Sequence, residues 1–315
     1  MLYQISNAFL QRFSRLILIM PASVLKGFIL AITAAVLWGV SGTFAQFLFQ
    51  QRGVNVEWLI TIRMLSTGSL LLLFGIFGQR TDIFFIWKNK KDAVQLALFS
   101  ITGMLAVQYT YFAAIKHSNA ATATVLQYAG PVIIAVYLAF KYKRIPRPIE
   151  FLAIALAVVG TFLLVTHGDI QTLSISGLAF FFGIASAFAL AVYTLQPIPL
   201  LTKYKSSLVI GWGMFVGGLV FCLVRAPWEV EGIWDLQAYL STAFIIVFGT
   251  LIPFYAYLTA VKIIGGQKTS LLASAEPLSA TILAVAWLNV PFSAMDWLGS
   301  LCIISTIFLL SRNNF

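Results

Sequence analysis

The sequence has little charge. Only 10% of its 315 residues are Asp, Glu, Lys or Arg, and 60% are hydrophobic, whereas about 25% of the residues in a typical soluble domain are charged. Apolar runs of about 20 residues, the length that spans a bilayer, recur along the whole chain. Strands that alternate between lipid-facing and lumen-facing residues do not produce such runs. The sequence therefore predicts an all-α integral membrane protein in a lipid bilayer.

Motifs for chemistry are also scarce. Cys222 and Cys302 each lie inside an apolar run, and no CxxC or Cys/His metal spacing occurs. The sequence has no Walker A pattern and no aspartate-rich motif of membrane prenyl-transfer enzymes. His117 and His167 each follow an apolar run, where we expect them to be solvated. We predict no cofactor, no metal site and no catalytic residue.

The apolar runs divide the chain into ten predicted spans with short connections. The spans are 26–48, 57–78, 94–115, 119–140, 149–166, 176–199, 206–225, 239–261, 269–290 and 294–311.

An N-terminal segment, residues 1–25, precedes the spans. Arg12 and Arg15 interrupt it, and no small-residue cleavage pattern follows a clean apolar core, so a signal peptide is not predicted. The segment is either an amphipathic helix at the membrane interface or an upstream extension, with Met20 as the true start.

The basic residues indicate how the spans are oriented. With the N-terminus in the cytoplasm, 16 of the 20 Lys and Arg residues fall on the cytoplasmic side, and only Arg52, Lys116 and Arg225 fall outside. The net charge of +10 is therefore a topology signal, and we predict no nucleic-acid partner. Both termini are predicted to be cytoplasmic, with the chain in the cell membrane.

The two halves of the sequence repeat one another. At an offset of 146 residues, 103–131 falls on 249–277 with a shared Y-x-Y, a shared lysine and a shared proline. The repeats, 26–166 and 176–311, each hold five predicted spans. Because five is odd, the second copy is inverted in the membrane. Inverted five-helix repeats are a recurring plan of secondary transporters.

Several short segments also indicate a family. These are AAVLWGVSGTF in the first span, I-R-M around Arg63, Y-x-Y-F-A-A-I in the third span with its repeat partner, FALAVYT in the sixth, and the E-P pair at Glu276. With them the chain resembles the drug/metabolite transporter superfamily in its ten-helix, EamA-type branch. The resemblance implies transport of amino acids, metabolites or drugs, usually outward.

Two charges lie within predicted spans, where insertion of a charge costs roughly 2.5–3.5 kcal/mol. Glu276 is either a carboxylate that binds a proton or a solute, or a structural group that pairs with a cation. Arg63 either recognises an anionic group of a solute, or it has a structural role in which it extends to the headgroups or pairs with Glu57, six residues earlier. A direct pair between Arg63 and Glu276 is not predicted, because the two residues are placed at different depths.

The remaining candidates are helix-breaking or polar residues near the middle of spans. Pro131 and Pro277 occupy equivalent positions in the two repeats and are predicted to kink their helices, as hinges or as static bends. Polar stripes beside them either line a cavity or pack helices together. The further candidates for a solute site are Trp38, Tyr109, Gln127, Tyr128, Tyr193 and Ser274.

Three hypotheses remain open. The first is a secondary transporter that exports small organic solutes by alternating access, either coupled to protons through Glu276 or acting as a uniporter or exchanger. The second is a membrane enzyme for lipids or prenyl groups, which needs clustered carboxylates or a His–acid pair at one membrane face, and neither is found in the sequence. The third is a non-transporting channel or scaffold. A small-molecule solute is the predicted partner, and no oligomeric state is predicted.

Overall fold

The computed structural model describes residues 21–118, 120–143, 145, 147–172, 176–279, 282 and 293–312, and this part of the chain is helical without strands. Most of the N-terminal segment, and most of the second half of predicted span 269–290, lie outside these residues. The helices are α1 (Ala22–Gln51), α2 (Val56–Gly78), α3 (Lys90–Lys116), α4a (Ala120–Gln127), α4b (Gly130–Tyr142), α5 (Pro148–Thr166), α6 (Gly177–Lys203), α7 (Ser206–Phe221), α8 (Leu236–Ile264), α9 (Gly266–Leu272) and α10 (Ala294–Arg312).

Seven of the described helical segments are long and apolar enough to cross a membrane. These are in α1, α2, α3, α4, α5, α6 and α8, where α4 counts as one segment, Ala123–Tyr142. Two further apolar helices, Ser206–Phe221 and Ala294–Ile307, are shorter. Seven such segments support a multi-pass membrane protein and leave the predicted count of ten spans unconfirmed.

Polar side chains fix where several helices begin. Asn55 accepts a hydrogen bond from the Trp58 backbone N–H at 3.0 Å, and Asp235 accepts one from the Ala238 N–H at 2.8 Å. Ser176 caps α6 in the same way. Each cap satisfies a backbone N–H that has no partner within its own helix, so short polar turns between apolar runs become sharp helix boundaries.

The helices pack in pairs that place the first half of the chain against the second. The main pairs are α1 with α8, α3 with α6, α2 with α7, and α5 with α10. α5 and α10 approach most closely at two glycines. A Cβ atom added to Gly160 would lie 3.0 Å from the Gly299 carbonyl oxygen, and one on Gly299 would lie 3.0 Å from that of Gly160. Small residues allow such approach between membrane helices.

Ion pairs tie the connections together where α1 meets α2. Arg52 binds Asp235 at 2.9 Å, and its backbone carbonyl accepts the Ile233 N–H at 2.8 Å. Arg225 pairs with Glu231. The hydrogen bond from Arg52 holds the pKa of Asp235 below its usual range, and that from Arg225 does the same for Glu231. The α1–α2 turn is therefore bound to the α7–α8 loop.

A second cluster lies at the opposite end of the bundle. Asp92, at the start of α3, is only 2% exposed. It accepts hydrogen bonds from the Lys203 ammonium and the Tyr204 hydroxyl, both at 2.8 Å. Lys205 donates to the Thr81 hydroxyl at 2.9 Å. The α6–α7 turn is thus bound to the beginning of α3.

His167 is exposed, as expected for a solvated side chain, and it also has a partner. Its Nδ1 lies 2.8 Å from the Asp296 carboxylate, which is fully buried. The second oxygen of Asp296 accepts the Ser293 N–H and hydroxyl, each at 2.8 Å. The carboxylate therefore caps α10 and ties it to the end of α5, which holds these two helices together at one end.

Candidate functional site

A cavity of about 100 Å³ lies between α1, α2, α3, α6, α8 and the interrupted helices α4 and α9. Sites for drug-sized ligands occupy about 300–1,000 Å³, so this cavity suits a much smaller solute. The predicted site residues that line it are Trp38, Arg63, Gln127, Tyr128, Tyr193 and Glu276.

Two predicted site residues lie elsewhere. Tyr109 points away from the cavity and packs edge-on between Phe182 and Phe221, with ring centroids 6.0 Å and 5.6 Å away. Ser274 is fully buried, and its hydroxyl donates to the Leu271 carbonyl at 2.6 Å. Neither side chain is part of the cavity wall.

The two prolines lie beside interruptions in α4 and α9. The helix breaks at residues 128–129 and again at 273–274, and it resumes within two residues of each break. Proline at position i lacks the N–H that would bond the carbonyl of residue i−4. For Pro277 that carbonyl belongs to Ala273. It accepts the Glu276 N–H at 2.9 Å and the Tyr128 hydroxyl at 2.5 Å, so Tyr128 joins one helix break to the other.

Arg63 is 5% exposed and faces the cavity from α2. Its guanidinium carbon lies 4.8 Å from the Phe112 ring centroid and 5.9 Å from that of Phe254. Pairing with Glu57 is wrong, because Glu57 binds Lys116 at 3.0 Å. Within the described part of the chain Arg63 has no ion-pair partner. Its guanidinium makes cation–π contacts with these two aromatic rings.

Glu276 reaches the same cavity from the helix that follows the α9 break. It is partly buried and shares the cavity wall with Tyr111 and Tyr128. Among the described residues no cation lies within ion-pair distance of its carboxylate, and no group of three His, Cys, Asp or Glu side chains could hold a metal ion. Arg63 and Glu276 therefore line one cavity without pairing with each other.

Aromatic rings form much of the cavity wall. The ring centroid of Trp38 lies 5.3 Å from those of both Phe254 and Tyr257. Tyr193 stacks on Tyr257 with a centroid distance of 5.4 Å. The Tyr257 hydroxyl is hydrogen-bonded to Thr194 at 2.9 Å. Such rings offer apolar contact, while the few polar groups between them set the orientation of a bound molecule.

Sequence analysis missed Gln108, which is 3% exposed and lines the cavity from α3. It also missed Phe112 and Phe254, the aromatic neighbours of Arg63. Gln108 carried a usable signal, because it is a polar residue inside a predicted span and lies one helical turn before Phe112.

The model of the EamA-like transporter family matches this chain twice, over residues 25–166 and 177–312. An uncharacterized inner membrane transporter of Salmonella typhimurium, YicL, is 42% identical over 292 residues, which are 93% of this chain and 97% of that protein. The threonine/homoserine exporter RhtA of Escherichia coli is 20% identical over 78% of this chain and 79% of that protein.

One solved crystal structure superposes with a TM-score of 0.74 over 90% of this chain and 95% of that chain. Its identity of 17% makes this a likeness of fold alone. The two family matches together cover most of the sequence and almost all of the described helices, and they agree with a multi-pass membrane protein. The chain therefore belongs to the EamA-like transporter family.

Proposed function

We propose that this protein is a secondary transporter that exports amino acids or other small organic metabolites by alternating access through the cavity. The observation that carries the proposal is the pair of charged side chains, Arg63 and Glu276, that line one cavity without an ion-pair partner among the described residues. Charges inside a membrane are costly and mark solute or ion pathways.

The proposed architecture is ten spans in two inverted five-helix repeats, 26–166 and 176–311, with both termini in the cytoplasm. The two family matches support it, since they divide the chain at nearly the same residues. The packing also supports it. In the two repeats α1, α2, α3 and α5 correspond to α6, α7, α8 and α10. When each helix is replaced by its counterpart, the α1–α8 pair becomes the α6–α3 pair, and the α2–α7 and α5–α10 pairs are unchanged. Two mirrored halves around a central site can open alternately to the two sides.

The proposed solute is small and carries a negative and a positive group. Arg63 would bind a carboxylate, for which the planar guanidinium is well suited, and Glu276 would bind an ammonium group or a proton. The cavity volume of about 100 Å³ favours small amino acids over drugs. The name of one relative, a threonine/homoserine exporter, supports the same class of solute.

The experiment is counterflow of labelled L-threonine in proteoliposomes. Replacing Arg63 with Gln should reduce uptake at least about tenfold, because a hydrogen bond to a charged group contributes about 1.5–3 kcal/mol. The matched control is Arg80→Gln, since Arg80 is exposed and far from the cavity wall. Equal loss in both variants, or uptake that does not exceed empty liposomes, would reject the proposal.

Proton coupling through Glu276 is tested separately. With an imposed pH gradient the unmodified protein should accumulate threonine against its concentration gradient. Glu276→Gln should abolish this accumulation. Counterflow that persists in the variant assigns Glu276 to the proton, because exchange needs no net proton movement, whereas loss of counterflow as well assigns it to the ammonium group of the solute. The control is Glu229→Gln, at an exposed loop position. Gradient-driven uptake that survives in Glu276→Gln would show that the transporter is not coupled through this residue.

A further inference from the structure

Three polar atoms in the cavity wall have no hydrogen-bond partner in the described part of the chain. They are Nε of Arg63, Oε1 of Gln108 and the hydroxyl oxygen of Tyr193. Their residues are 5%, 3% and 1% exposed. About 90% or more of buried polar groups in native proteins are hydrogen-bonded, so three unsatisfied atoms around one cavity point to a molecule that binds there.

All three residues line the same cavity. Gln108 and Phe112 lie one turn apart on the same face of α3, and Phe112 contacts the Arg63 guanidinium. Phe254 lies 5.9 Å from that guanidinium and 5.5 Å from the Tyr193 ring. Arg63, Gln108 and Tyr193 are therefore linked through two shared aromatic neighbours, and one small solute could contact all of them.

The hydrogen bonds of Gln108 define what it offers. Its amide Nε2 donates to the Met104 carbonyl at 3.2 Å and lies 3.4 Å from the Met214 sulfur. This orientation leaves Oε1 as a pure acceptor. The Tyr193 hydroxyl can both donate and accept. A group that satisfies both must donate to Gln108 Oε1 and can either accept from or donate to the Tyr193 hydroxyl. An aliphatic hydroxyl does this with a single oxygen, whereas an ammonium group does it only as a donor to both and is shared by all amino acids.

We propose that Gln108 and Tyr193 form a selectivity subsite for a hydroxyl group on the solute, beside the anionic group that Arg63 binds. This inference rests on the proposed function and narrows it to hydroxylated amino acids. A site built to bind a hydroxyl disfavours an analogue that lacks it, because the buried polar groups of the protein are then left unpaired.

The test compares L-threonine with L-valine, in which a methyl group replaces the hydroxyl. Both compete against labelled threonine in the counterflow assay. The unmodified protein should require at least about thirtyfold more valine for half-inhibition, within the wide range that such sites reach. Tyr193→Phe and Gln108→Met should each bring this ratio to about threefold or less, since each removes one hydrogen-bonding group and keeps the shape.

The control is Tyr109→Phe, which removes a tyrosine hydroxyl outside the cavity wall and should keep the full ratio. Thermal unfolding of each purified variant checks that it folds. If either Tyr193→Phe or Gln108→Met does not fold, the other variant alone tests the subsite. Equal competition by threonine and valine in the unmodified protein, or an unchanged ratio in both variants, would overturn the subsite alone. Absence of counterflow with either amino acid would overturn the proposed function and the subsite with it.

Discussion

The hydrogen bond between Tyr128 and Ala273 leads to a quantitative prediction. Tyr128 is 4% exposed, and its hydroxyl donates to the Ala273 carbonyl. In a regular helix this carbonyl would accept the N–H of residue 277, which proline lacks. Tyr128→Phe removes this donor and leaves the Glu276 N–H as the partner of the carbonyl. Because one acceptor bond remains, we expect a loss of about 0.6–1.5 kcal/mol in the free energy of unfolding.

A double-mutant cycle isolates the contribution of the proline. Pro277→Ala restores a backbone N–H that can bond the Ala273 carbonyl, so the tyrosine hydroxyl is needed less. In the Pro277→Ala background we expect Tyr128→Phe to cost about half as much or less, which is a coupling of at least about 0.5 kcal/mol. The measurement is reversible unfolding by a denaturing detergent in mixed micelles, monitored by circular dichroism.

The control for this cycle is Tyr137→Phe, in the segment α4b that follows the break at Tyr128, where the side chain is 49% exposed. It should change stability little in either background. If Tyr128→Phe costs the same with and without Pro277, the hydroxyl does not compensate for the missing N–H, and the proposed reason for the link between the two helix breaks is wrong.

Two further predictions concern packing and pH. Gly160→Ala should lower the free energy of unfolding by about 1–3 kcal/mol, because the added Cβ would clash with the Gly299 backbone. The control is Gly177→Ala, which has open space around it and should not lower stability. Equal effects of the two substitutions would contradict close α5–α10 packing. Asp235 has a pKa lowered by its hydrogen bond from Arg52, so its contribution is complete above about pH 4 and is lost as pH falls through the lowered value. The thermal unfolding midpoint should therefore fall on acidification to pH 3, and Asp235→Asn should reduce that fall.

Much of the fold follows from patterns that a sequence displays directly. Apolar runs predicted spans 57–78 and 149–166, and the helices there are Val56–Gly78 and Pro148–Thr166. The breaks beside Pro131 and Pro277 follow from the chemistry of proline, which removes a backbone donor wherever it stands. These features depend on local sequence, so no knowledge of tertiary contacts is needed to predict them.

The direction in which a side chain points was harder to predict. Tyr109 was predicted as an aromatic residue within a span, but each residue turns the helix by about 100°, and its neighbour Gln108 faces the cavity instead. Glu57 and Arg63 are six residues apart, which places their side chains about 120° apart around α2. They point to different sides of the helix, which is why Glu57 meets Lys116 and Arg63 meets the cavity. Depth in the membrane can be estimated from sequence, whereas rotation depends on which helices pack together.

The asymmetry of the cavity has a stereochemical consequence. At the 146-residue offset Gln108 corresponds to Phe254 and Glu276 to Gly130, so each polar group occurs in one half only. The hydrogen-bonding atoms of Arg63, Gln108 and Tyr193 come from three helices and differ in chemistry. Three unlike points of attachment can hold one enantiomer of a chiral molecule and leave a mismatch with its mirror image. A duplicated scaffold with two related halves thereby acquires a handed site, and we expect it to distinguish L- from D-amino acids.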